Sequence, residues 1–145
     1  MPEQRCTYDY AVIRVVPRVE REEFVNAGVI ESCPELKFLE AAIELDEARL
    51  AALDPSIDLE AVRDHLAAIP AICAGGEAAG AIGRMSQKER FRWLVAPRST
   101  IVQTSPAHAG RCDDPGALLE HLLATMVRAT RATRGAPPSS ALRGY

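Results

Sequence analysis

Alternation and helical spacing divide the chain into a strand-rich first third and a helix-rich remainder. Residues 7–16, TYDYAVIRVV, are β-branched and aromatic and stop at Pro17, a composition that predicts a strand. Ala11, Ile13 and Val15 fall on one face, and Tyr8, Tyr10, Val12, Arg14 and Val16 on the other. Both faces are largely apolar, so this strand is expected at the centre of a sheet covered on both sides. Residues 24–33, FVNAGVIESC, predict a second strand, with Asn26 and Gly28 on one face beside Phe24 and Ile30. A glycine inside a strand marks a bulge or a close backbone approach. Residues 38–45, FLEAAIEL, alternate most cleanly: Leu39, Ala41, Ile43 and Leu45 face in, and Glu40 and Glu44 face water. The short links between these segments favour an antiparallel meander.

Helical spacing follows. Asp46 is placed to cap a short helix over 47–53, and Asp58 a longer one carrying the stripe Leu59, Val62, Leu66, Ile69 and Cys73. Pro70 is expected to kink or end that helix, and Gly75-Gly76 to stop it. Residues 75–83, GGEAAGAIG, read as a flexible loop. Ser86 and Glu89 form a capping box that predicts a helix from Gln87 to about Val95. A fourth strand is expected over 99–104 and a loop over 105–113. Pro115 opens a last helix faced by Leu118, Leu119, Leu122, Leu123, Met126 and Val127. The expected fold is α+β, a mostly antiparallel sheet of about four strands with helices packed on it. Residues 1–134 are expected to form a single globular domain, and 135–145, GAPPSSALRGY, a disordered tail.

Composition narrows the class. The chain has 145 residues, 48% hydrophobic and 26% charged, the balance of one soluble domain. The apolar run 66–76 is too short for a membrane span, and the first ten residues carry no signal core. A formal charge of −3 argues against a nucleic-acid-coating protein. Cys6, Cys33, Cys73 and Cys112 form no C-x-x-C pair, so no zinc nucleus exists and free thiols of a cytoplasmic protein are expected. The glycine-rich segment lacks the lysine and hydroxyl of a P-loop, no nucleophile motif occurs, and no cofactor or catalytic residue is assigned.

Candidate chemistry rests on arginines. The segment 90–110, RFRWLVAPRSTIVQTSPAHAG, holds Arg90 and Arg92 on different sides of one helix. Arg98 and Ser99 stand at its helix-to-strand corner, where a guanidinium and a hydroxyl can hold a carboxylate or phosphate. His108 lies in the loop that follows. His65 and His121 sit beside apolar helix stripes and read as structural. Arg14 cannot be buried alone. It requires an acid of its own chain, a carbonyl, or a bound anion or partner.

Four segments, YDYAVIRVVPRVEREEFVNAGVI, IELDEARLAALDP, RFRWLVAPRSTIVQTSPAHAG and CDDP, together resemble the bacterial family named domain of unknown function 3037, over about Thr7 to Val127. Arg14, Asn26, Gly28, Arg98, Ser99, Pro106 and His108 match that family's pattern, while Glu31-Ser32 is more polar than it. The family supplies no established activity. The resemblance implies a small cytosolic bacterial protein, and an association with HipA-like kinases implies a partner role. The first expectation is therefore a non-enzymatic accessory protein that docks a protein partner, with a HipA-like kinase as the implied one. An anion-binding enzyme acting on a nucleotide or phosphoester is the alternative, and a DNA-binding protein the third reading. The candidate binding residues are Arg14, Asn26, Arg92, Arg98, Ser99 and His108.

Overall fold

The computed structural model describes residues 6–129; the expected tail over 135–145 lies outside the described residues. Five strands form one sheet: β1 (Cys6–Val15), β2 (Val25–Cys33), β3 (Phe38–Ile43), β4 (Val102–Thr104) and β5 (His108–Cys112). All pairings are antiparallel. The order is β3-β2-β1-β4, with β5 also paired to β1 beyond β4. The helices are α1 (Glu47–Leu53), α2 (Leu59–Ala74), α3 (Gly80–Gly83), α4 (Gln87–Leu94) and α5 (Pro115–Met126). The fold is thus α+β with a mostly antiparallel sheet, as the alternation pattern predicts. Among the described residues no helix is long and apolar enough to cross a membrane.

Two apolar layers sandwich the sheet. On one face Ile13, Val15, Val25, Ala27 and Ile30 pack with Leu50 of α1, the α2 stripe and Leu94 of α4. On the other, Val29 packs with Leu119, Leu122 and Leu123 of α5 and with Val127 just beyond it, and Tyr10, Phe38 and Ala42 close the layer. The third strand's outer face is therefore only partly wet: Glu40 and Glu44 are exposed between apolar positions that α5 covers. Caps start the helices where the sequence places them. The side chains of Asp46, Asp58 and Asp114 accept from backbone N–H groups of the first turn, and Ser86 and Glu89 complete the capping box.

Four local expectations are corrected. The first concerns the face of β2. Ile13 pairs with Gly28 but Arg14 pairs with Asn26, leaving Ala27 as an extra residue. This bulge shifts the parity, so Asn26 shares the α5 side with Val29 while Ile30 faces α2. Second, α2 runs through Pro70 to Ala74. Its buried stripe, Val62 to Cys73, holds it against the sheet and outweighs the one backbone bond that proline cannot make. Third, the glycine segment is folded, with a 3-10 turn at Glu77–Ala79 leading into α3. The Gly76 N–H donates to the Gly83 carbonyl at 2.9 Å, and a side chain at Gly83 would collide with Gly76. Fourth, the expected loop over 105–113 contains β5. HAGRC has no β-branched residue, yet Tyr8 covers Gly110 and Tyr10 meets His108 across the pair. Buried Ser105 bridges the gap between β4 and β5: its hydroxyl accepts from Val12 N–H at 2.9 Å, and its own N–H donates to the Val12 carbonyl at 2.8 Å.

Candidate functional site: an arginine cleft at the sheet edge

The row Asn26, Arg14, Gln103 crosses the sheet from β2 through β1 to β4. Arg14 is half-buried, and its guanidinium carbon lies 4.3 Å over the Phe24 ring. Such stacking favours a cation through the ring quadrupole. Its Nε is fully buried and has no hydrogen-bond partner. Among the described residues no acid forms an ion pair with Arg14; the ion pairs are Arg21–Glu23, Arg63–Glu47, and Arg128 with Glu44 and Glu120. The internal salt bridge that the sequence left open is absent among those residues.

Arg98, just beyond α4, completes the arrangement. Its guanidinium carbon sits 4.1 Å over the ring of Trp93, and its Nη atoms donate to the carbonyls of Leu94 and Trp93. The helix end thus fixes the cation in place. Arg14, Arg98, Ser99 and Gln103 line one cleft of about 300 Å³ together with Val16, Val19, Phe24 and Glu22. Glu22, in a left-handed conformation at the end of the Val19–Arg21 turn, is the acid on this wall. Two guanidinium groups, a hydroxyl, a carboxamide and one carboxylate therefore leave a net positive hollow. Charge-assisted donors of this kind bind carboxylates and phosphates.

The remaining candidates divide. Asn26 adjoins Arg14 in register, donates through Nδ2 to the Met126 carbonyl at 3.0 Å, and keeps a buried, unpartnered Oδ1. It ties the end of α5 to the strand beside the cleft. His108 stands opposite Tyr10, with rings 5.4 Å apart. Four strand positions separate it from Arg14, about 13 Å at strand spacing, and it lines no part of the cleft. Its exposure at the sheet edge follows from β5 being a strand. Arg92 is exposed on α4, outside the cleft.

Arg90 belongs to the fold. Its Nη1 donates to the carbonyls of Ile72 and Cys73 at the end of α2, and its Nε to the Met85 carbonyl at 3.1 Å. These bonds tie the last carbonyls of α2, of which Ile72 also accepts the Gly75 N–H, to the start of α4. Arg90→Ala is expected to lower stability by about 2 kcal/mol, read as a drop in the urea midpoint at unchanged slope. Arg92→Ala, one turn position away on the exposed side, leaves the midpoint where it was.

The sequence reading marks Glu31 only as more polar than the family pattern and assigns it no chemistry. It is fully buried on β2, with Tyr10 beside it on β1 and Glu40 on β3, and neither carboxylate oxygen has a partner. Burial above all, then Glu40 and Asp114, pushes its carboxyl up to about 7. The available signal was a single acid in an otherwise apolar strand. Nearby, Cys6 and Cys112 face each other across β1 and β5, and burial raises Cys33 to about 11. A thiol held protonated, as that of Cys33 is, makes a poor nucleophile.

A family model described as "Protein of unknown function (DUF3037)" matches residues 10–127. No curated protein and no solved structure matches the chain.

Proposed function

The chain belongs to the DUF3037 family, and from that premise we propose that it is a non-enzymatic binding protein whose Arg14–Arg98 cleft takes up a carboxylate or phosphate group. One observation carries the reading: Arg14, whose buried Nε has no partner, lines a cleft that Arg98 lines as well. A half-buried guanidinium without a counter-charge costs free energy, and an anion in this hollow supplies one. The groups on the walls are suited to gripping rather than to cleaving. The hollow fits one anionic group and offers no basic stripe of the kind a duplex requires.

Trp93 is the chain's only tryptophan and stacks on Arg98, so it reports on the cleft through that contact. Titration with phosphate, pyrophosphate and acetate at low salt is expected to change its emission and raise the melting temperature. A ligand at one hundred times its Kd adds about 2.7 kcal/mol. Arg14→Met keeps the apolar stem over Phe24 and removes the charge; it and Arg98→Ala should abolish both signals, while Arg92→Ala and His108→Ala retain them. Absence of any anion response, or a response untouched by both cleft substitutions, overturns the proposal.

A second reading has its own support. Val19, Phe24, Trp93 and Ile101 are large apolar side chains, each 36–42% exposed, and Val19 and Phe24 border the cleft. Exposed apolar residues around a polar anchor suit a protein partner carrying an acidic side chain. The HipA-like kinase implied by the family resemblance is the first such partner to test, with Arg14→Met as the disrupting variant.

A further inference from the structure

On the other side of Arg98 lies a second cavity of about 300 Å³, floored by Ile69, Ile72, Leu94 and Val102. Asp64, His65 and Ala68 of α2 form its outer wall, and Trp93, Thr100 and Thr104 close it. Arg98 and Gln103 line both this cavity and the cationic cleft. The Thr104 Oγ1, a third wall group, is buried and has no hydrogen-bond partner. A mostly apolar hollow with a few convergent polar groups is the usual form of a small-molecule site. Its volume is about twice that of a cavity known to admit benzene.

Resting on the anion reading above, we propose that the ligand is an amphiphilic anion: a carboxylate or phosphate head held by Arg14 and Arg98, with a compact acyl or aryl body in the cavity between α2 and β4. Charge complementarity fixes which end goes where. Arg14 lines only the cleft and Arg98 lines both hollows, whereas Asp64, the acid among the cavity's lining residues, stands on its α2 wall and disfavours the head there. The Thr104 hydroxyl offers the body one hydrogen bond, which suits an ester, ether or ring heteroatom. Arg98 and Gln103, which line both hollows, stand where the head and the body of the ligand meet.

The test is a chain-length series, acetate through decanoate, measured by calorimetry beside inorganic phosphate, phenyl phosphate and the neutral alcohols of matching length. Each added methylene should tighten binding about three- to fourfold, levelling off once the cavity fills, and the alcohols should bind far more weakly than the acids. Ala68→Phe, at an exposed position of α2, fills the cavity and should erase the chain-length gain while leaving inorganic phosphate binding unchanged. His65→Phe, also exposed, serves if that variant does not fold. Binding of phosphate with no gain along the series overturns the amphiphile and leaves the anion site standing. A gain that survives both cavity-filling variants overturns this location for the body. Failure of every anion, inorganic phosphate included, overturns the anion reading itself.

Discussion

Glu31→Gln is expected to stabilise the fold by about 2–3 kcal/mol above neutral pH and to change it little near pH 5. The carboxyl is fully buried, neither oxygen is hydrogen-bonded, and its folded-state value is raised from 4.5 to about 7. Below 4.5 it is neutral in both the folded and the unfolded chain, and no cost arises. Between 4.5 and 7 the unfolded chain releases the proton while the folded chain keeps it, so stability falls as pH rises. Above 7 the folded protein carries the full cost of a buried, unpaired anion. Glutamine is neutral throughout, so the variant's urea midpoint should stay flat over this window while the parent's declines. Parallel pH curves for the two proteins would show that Glu31 binds its proton equally well in the folded and the unfolded chain, and would overturn its burial as an unpaired acid. The Tyr10 and Glu40 neighbours make the sign firm: neither supplies a positive charge, and Glu40 adds repulsion.

Glu31 also illustrates what a sequence can and cannot say. Its charge interrupts an apolar strand, which is visible in the residues 24–33. Its burial is not, because that depends on α5 arriving from 80 residues later. The first three strands and the α2 stripe were readable because their periodicity is local and each apolar set packs as one face. Strand β5 was not, since HAGRC lacks strand-forming side chains and owes its conformation to Tyr8, Tyr10 and the Ser105 bridge on β1. The same limit applies to the cleft. Arg14 stood out as a cation on an apolar face, and Arg98 and Ser99 as a corner, but only the pairing of β1 with β4 puts them together. His108, selected as a loop histidine that matches the family pattern, and Arg92, selected as an arginine of the same segment, fall outside it. The pairing of β1 with β4, rather than proximity in sequence, decides which arginines meet.

That geometry hangs on the bulge at Ala27, next to Gly28, and replacing Gly28 is expected to cost more than replacing a glycine with free space around it. A Cβ added at Gly28 would lie 2.6 Å from the Ala42 carbonyl oxygen, 3.0 Å from the Ile13 Cδ1 and 3.3 Å from the Ile43 Cα. Ile13 can turn away, but the Ala42 carbonyl belongs to the β2–β3 pairing and cannot retreat without breaking it. Gly28→Ala should therefore destabilise by about 2–3 kcal/mol. Gly116→Ala is the control: its nearest contact is an ordinary 3.5 Å from Asp114 Oδ1 in the first turn of α5, where alanine is neutral or favourable. The effect should also reach the cleft. Ala27 is the residue left over when Ile13 pairs with Gly28 and Arg14 with Asn26; strain relieved by shifting β2 against β1 would move Arg14 relative to Phe24. Gly28→Ala protein that still folds should bind phosphate more weakly by the Trp93 signal, whereas Gly116→Ala should bind as the parent does. Equal stability of Gly28→Ala and the parent would mean that β3 does not approach this strand as closely as described.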